Sequence, residues 1–328
     1  MPLPSNFRNG LASYGIPVTP FSPYATGQRW FVKPSSGSNG NSGKSPDQAV
    51  ATVNKALDLA TANRGDVIYL IGEGNSADAA SSRVSETLTW NKDLTHLVGV
   101  AAPTMVSQRA RIAVTSGASA MSPMVDVTAN GCIFSNLQFF HGQASASALI
   151  NVRVTGQRNV FEGVHFAGIG DATQSAAGAA DLAIIGGAEN VFRNCVIGLD
   201  TTNHDADATN LLFDTAATRN WFEDCLFQAY ITAAGFASVT VADGTGIDRW
   251  QVFKNCVFQT DSVNKGVTQT QVMSIPAIVQ GKIILWNSYY NTDGASGSGV
   301  WDNTGRGIIW NNSVAAAAAA AGGEMTKL

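Results

Sequence analysis

Apolar and polar positions along this chain recur in a frame much longer than a helix turn or a strand. Phe134, Phe161, Phe192, Phe222 and Phe253 each open the same short pattern. Two residues later stand Asn136, Gly163, Asn194, Asp224 and Asn255; three later, Leu137, Val164, Cys195, Cys225 and Cys256. Five later come Phe139, Phe166, Ile197, Phe227 and Phe258. Weaker copies start at Leu285 and Trp310, and successive copies lie 25 to 32 residues apart. Such a period marks a solenoid, whose units bury their apolar face only by stacking on one another.

Within a copy, apolar residues three and five places after the Phe, with a variable one between, predict a strand that alternates in and out. The Phe itself lies an odd number of places from the next inward residue, so the chain must bend between them. The bend falls on Asn, Asp or Gly, the types that tolerate a left-handed backbone. A further apolar segment precedes each Phe: Ala148–Val154, Leu182–Ile185, Leu211–Phe213, Val239–Val241 and Ile275–Val279. Each coil therefore holds three short strands, stacked in parallel at about 4.8 Å per coil. Equivalent residues should form ladders, Phe on Phe, Cys on Cys and Asn on Asn. The amides would bond above and below, pairing turn backbone that burial would otherwise orphan.

The motif Val191-Phe192-Arg193-Asn194-Cys195-Val196-Ile197 and its copies resemble the coils of right-handed parallel β-helices of the pectate-lyase-like type. The stretch from Trp30-Phe31-Val32 through the Ser35–Ser45 turn, Pro46 and a helix to Gly65-Asp66-Val67-Ile68-Tyr69-Leu70 is similar to the N-terminal cap of that group. Val50, Val53, Leu57 and Ala60 recur at helical spacing, and such a helix covers the open sheet edge of the first coil. The reading is thus all-β: a right-handed parallel β-helix over residues 29–313, its cap at about 29–75, with about nine to eleven coils. Residues 1–28 hold five prolines plus Tyr14, Phe21 and Tyr24 and suit an extended arm. Residues 314–328 form an Ala/Gly-rich tail.

Composition narrows the function classes. Only 13% of residues are charged and the net charge is −4, which gives no electrostatic support for nucleic-acid binding. No apolar run reaches the roughly 18 residues of a membrane span, and residues 1–10 do not read as a secretory signal. Neither a membrane nor a nucleic-acid partner is expected.

Candidate chemistry is sparse. Gly43-Lys44-Ser45 has the end of a phosphate-binding loop, but Ser38 stands where the motif needs Gly, so a cap turn is expected. Cys195, Cys225 and Cys256 share one inward row and point the same way, which suits a core ladder rather than a tetrahedral metal site. No metal or cofactor is expected. For glycan cleavage the residues to inspect are Asp200, Tyr230, Asp261 and Asp293, eight places after the ladder positions Phe192, Phe222, Phe253 and Leu285, with Asp261 and Asp293 about 5 Å apart as neighbours. Asp205, Asp207 and His204 crowd the adjoining loop. Asp is also a common turn-former, which is the plainer reading of that row. Lyase chemistry would want Arg or Lys as base, and only scattered Arg153, Arg193 and Lys254 offer one. His96, His141, His165 and His204 share no row, and His165 falls at an outward position.

The Pro-rich arm, β-helix cap and short length resemble virion proteins of tailed bacteriophages, in particular the decoration (cement) class that sits as trimeric knobs on a capsid. The resemblance implies a non-enzymatic structural protein, made in the host cytoplasm and carried on the capsid surface. It would be a homotrimer whose arm residues Tyr14, Pro17, Pro20, Phe21 and Tyr24 contact the major capsid protein or sister subunits. The competing reading is a tailspike or tail fibre that binds or cleaves host surface polysaccharide, with Asp261 and Asp293 as its acids and Tyr230 and Trp301 beside them. A passive adhesin is a third reading, for which a secretory route would be needed.

Overall fold

Phe134, Phe161, Phe192, Phe222, Phe253, Leu285 and Trp310 are register partners on successive parallel strands. The computed structural model describes residues 26–73, 80–205, 207–262, 266–267, 269–277 and 279–292, with strand backbone also at Ala12–Ser13, Ile16–Pro17, Val300–Asp302 and Ile308–Asn311. Among these residues the architecture is a parallel β-solenoid with one short α-helix, Val53–Leu59, near its N-terminal end. A typical coil has three strands, such as Val191–Arg193, Val196–Ile197 and Thr209–Asp214. The third position of each coil builds an eight-stranded sheet, and eight strands bound seven complete turns. That is fewer than the nine to eleven expected. The cap strands Arg29–Val32 and Val67–Ile71 stack under the Phe row; Val67–Ile71 leads on to Leu88–Trp90, the first strand of that third sheet, whereas Arg29–Val32 is followed by the cap helix.

Inside, the first-residue column is aromatic and nearly parallel: ring centroids are 4.8 Å apart for Phe134–Phe161, 4.7 Å for Phe161–Phe192 and 4.8 Å for Phe222–Phe253. All of these rings are fully buried. Cys195, Cys225 and Cys256 form the expected buried column of free thiols, each donating to the carbonyl of the Phe one coil earlier: Phe161, Phe192 and Phe222. Ser288 continues the column and donates to Phe253 O.

The bend after each Phe is left-handed at every described copy, with φ of 54° at Asn136, 60° at Gly163, 52° at Asn194, 54° at Asp224, 52° at Asn255 and 50° at Asn287. One residue in that conformation turns the chain by a corner, so the inward face is recovered on the next strand. The exposed amides link the corners: Asn287 Nδ2 donates to Asn255 Oδ1, and Asn255 Nδ2 to Asp224 Oδ1.

Two local expectations need correcting. The strand before Leu285 is Gln271–Ser274, starting four residues before the apolar run at 275–279, because Met273, the register partner of Val239, and then Ile275 carry the inward positions. In the cap, Pro46 starts a 3-10 turn, and the α-helix begins only after Thr52, whose hydroxyl accepts from Lys55 N. Gly43, at φ 70°, closes the cap turn by backbone bonds with Phe31 and Gln48, which is the cap-turn reading of Gly43-Lys44-Ser45.

Candidate functional site

Outward strand positions next to the Phe column form a polar surface in regular register. In register, Glu162, Arg193, Glu223, Lys254 and Trp286 rise in one row. Arg193 Nε lies 3.3 Å from Glu223 Oε2, and Lys254 Nζ lies 2.7 Å from Glu223 Oε1. Lys254 also sits 5.4 Å from the Trp286 ring centre. A second row runs beside it, with Glu189 bridging Arg158 at 2.7 Å and Arg219 at 2.5 Å. The hydrogen bond from Lys254 holds Glu223 below the usual carboxylate range, and that from Arg219 does the same for Glu189. Arg193 and Lys254 are therefore rungs of an ion ladder rather than free bases, and Arg153 is held by both oxygens of Asp126. Between the rows Trp221 and Trp250 stand edge to face, centroids 6.5 Å apart, in a shallow trough with Arg193, Arg219 and Glu223.

Farther round the same corner the surface turns apolar. Leu226, Val257 and Tyr289 are register partners on the outward side. Val257 and Tyr289 are 38% and 44% exposed, and Trp286, across the Asn287 bend, is 41% exposed. The repeat frame places these residues, but reading it for inward positions alone passes over them.

The acid row comes together only in part. Tyr230 and Asp261 are neighbours in register, but the partner of Tyr230 on the other side is Asn203, not Asp200. The extra loop residues of that coil push Asp200 off the sheet. Asp261 is half-buried and accepts a hydrogen bond from Gln259 at 3.0 Å. Asp293 lies outside the described residues, as do Tyr14, Pro20, Phe21 and Tyr24 and the side chains of Pro17 and Trp301. Pro17 belongs to a two-residue strand, Ile16–Pro17, antiparallel to Ala12–Ser13, where no strand was expected. Among the described residues no three His, Cys, Asp or Glu side chains are grouped to hold a metal ion.

His165 departs furthest from its expected place. Its position is outward, yet it is fully buried, because the loop of residues 101–110 folds over that part of the corner. Its Nδ1 accepts from the Ser107 backbone at 3.0 Å, and its Nε2 lies 3.1 Å from Gly198 O. Burial depresses its pKa to about 4.

Two buried polar columns also escaped the sequence reading. Asn159, Asn190, Asn220 and Gln251 stand two residues before successive Phe residues, fully buried. Each side-chain oxygen accepts the backbone N–H of the residue one coil earlier: Cys132, Asn159, Asn190 and Asn220. Asp181, Asn210 and Asn151, at the starts of third-sheet strands, are buried under the loops that lead into that sheet, with Asp181 accepting from Gly168 N, Ile169 N and Asn210 Nδ2. In the cap, burial opposes ionisation of Asp66, but bonds from Arg64, Trp30, Thr61 and Gln28 outweigh it and hold the carboxyl at about 2.

No protein-family model matches the chain, and no curated protein matches it. Several solved structures share its fold. The pectin methylesterase of Aspergillus niger aligns at a TM-score of 0.54 and 18% identity over 94% of this chain and 92% of its own. Pectate lyase Pel9A aligns at 0.62 and 14% identity over 94% and 80%. A tailspike protein from an Escherichia coli O157:H7 bacteriophage aligns at 0.42 and 8% identity over 87% and 42%, a likeness too remote to argue from. At such identities the likeness is one of fold alone: the chain is a right-handed parallel β-helix of the kind found in pectin methylesterases and pectate lyases.

Proposed function

We propose that this protein is a non-enzymatic virion protein of a tailed bacteriophage, a decoration protein that binds the shell of major capsid protein as a homotrimer and stabilises it. The observation that carries the reading is the outer corner, where the register partners Val257 and Tyr289 and, three residues before Tyr289, Trp286 are all exposed beside carboxylates already compensated by Arg193, Arg219 and Lys254. Contiguous apolar surface of that kind is typical of protein contact, and a closed symmetric assembly repeats each contact in every subunit. Residues 1–28 are assigned to the shell. Light scattering on the purified protein should give a trimer, and Trp286→Glu with Tyr289→Glu should give a folded monomer. Removing 1–28 should leave the trimer intact and abolish attachment to particles. A monodisperse monomer, or full decoration by the truncated chain, overturns the assignment.

One observation favours a second reading, a tailspike-like protein that holds host polysaccharide. Trp221 and Trp250 offer aromatic faces beside Arg193 and Arg219, an arrangement suited to sugar rings. If so, host capsular or O-antigen polysaccharide should quench tryptophan fluorescence in the wild type and not in Trp221→Ala. Oligosaccharide release abolished by Asp261→Asn would establish cleavage.

A further inference from the structure

The loop of residues 101–110 does not lie flat on the solenoid. Between it and the corner at Ser135–Asn136 and Glu162–Gly163 is a cleft of about 460 Å³, within the range of small-ligand sites. Its walls are largely apolar, with Val98, Pro103 and Met105 among them. Beside the hydroxyls of Thr104 and Ser135, three of its polar residues carry acceptors that are short of donors. Asn136 spends both amide hydrogens on Gly99 O and Ala101 O, which fixes the amide orientation and leaves Oδ1 buried without a donor. Gln108, 1% exposed, donates its amide to Gly163 O and likewise leaves Oε1 buried without a donor. Glu162, 8% exposed, receives one hydrogen bond, from Asn194 at 2.7 Å. Its nearest cation, Arg193, stands off at 3.7 Å and is committed to Glu223. Burial pushes the Glu162 carboxyl up from its ordinary value, outweighing the opposing pull of Asn194 and Arg193.

We propose that this cleft binds an ammonium or guanidinium group carried on an aliphatic stem. Buried acceptors without donors are costly, and a ligand bearing several N–H groups satisfies them while neutralising the carboxylate. A strongly hydrated divalent ion fits less well, since the walls that would surround it are methyl and methylene groups and only one donor is anionic. The stem of a lysine, an arginine or a free alkylamine lies naturally along Val98, Pro103 and Met105. The inference stands whether or not the protein decorates a capsid.

Calorimetric titration of the full-length protein at neutral pH tests it, with n-butylammonium and n-butylguanidinium chloride as probes and 1-butanol and butyrate as neutral and anionic isosteres. Both cations should bind at least about ten-fold more tightly than either isostere. Glu162→Gln, which keeps the Asn194 bond, should weaken the cations about ten-fold or more and leave butanol unchanged. Gln108→Met provides an independent variant and should weaken them several-fold. Butanol binding as well as the amine, cations giving no saturable heat, or wild-type affinity in both variants overturns the proposal. The capped peptide Gly-Lys-Gly distinguishes the sources. If it binds more tightly than butylammonium, the natural occupant is a partner's side chain; if more weakly, a free amine.

Discussion

Phe192 and Phe222 stack with ring centroids 4.6 Å apart and planes 6° from parallel, although they belong to different coils. Each ring is both a core residue of its own coil and the lid of the one before, so removing one opens two layers. Phe192→Ala should cost about 3–5 kcal/mol, read as a lower urea midpoint, and Phe192→Leu clearly less. Equal costs for the two would mean that the column does not carry the packing.

The interior amide column predicts an effect that hydrophobic filling cannot rescue. Asn220 Oδ1 accepts both the backbone N–H and the side-chain amide of Asn190. Asn220→Ala and Asn220→Leu should each cost about 1–3 kcal/mol per orphaned donor. If Asn220→Leu restores stability to the wild-type value, the hydrogen bonds are not what holds this column.

Left-handed corners can be tested where nothing else interferes. A Cβ at Gly163 would meet no atom within 4 Å, while φ there is 60°. Gly163→Asn, matching the other copies, should be close to neutral, and Gly163→Val should cost about 1–2 kcal/mol. Thermal melts of the two variants separate conformational strain from crowding.

The column of thiols should be chemically silent. Burial pushes Cys195 and Cys256 above the ordinary thiol range and Cys132 to about 11, and the thiolate is the reactive form. A disulfide-exchange reagent should leave the native protein unlabelled and titrate all four cysteines in denaturant. Rapid labelling of any of them in the native state contradicts the packing.

The repeat was legible because the physics that makes it is one-dimensional: a residue contacts its equivalents above and below, so side-chain type is preserved at the same position. That is why the Phe register and the corners at Asn136, Asn194 and Asn255 read directly from the chain. The column Asn159–Asn190–Asn220–Gln251 obeys the same rule and was readable two places upstream, but polar residues before an aromatic look like turn surface. His165 and the cleft were not readable. Both depend on where the 101–110 loop folds back, and a loop outside the repeat carries no periodic signal. The apparent neighbour pair Asp200–Tyr230 failed for the related reason that one coil carries extra residues at that point.

His165 makes the acid limb of stability predictable. Its Nδ1 already accepts the Ser107 N–H and its Nε2 faces Gly198 O, so a second proton on Nδ1 would point at a donor. Burial lowers the pKa to about 4 here and, against the pull of Asp66, to about 4 at His96. In the unfolded chain both titrate near 6.5. Between those values the unfolded state binds more protons, so stability is full above about pH 6.5 and falls as pH drops toward 4. Asp66 acts lower, its contribution being lost only as pH falls from about 4 toward 2. Urea midpoints from pH 7.5 to 4 should therefore decline, by about 3 kcal/mol at most for each of these two histidines. Burial also lowers the pKa of His141, which shares the decline. Asn at position 165 cannot take up a proton, so His165→Asn, while lowering stability at pH 7.5, should remove the His165 share and leave a shallower slope. A variant with the wild-type slope would show that the histidine takes up its proton as readily in the native protein as in the unfolded chain and that the loop does not seal it.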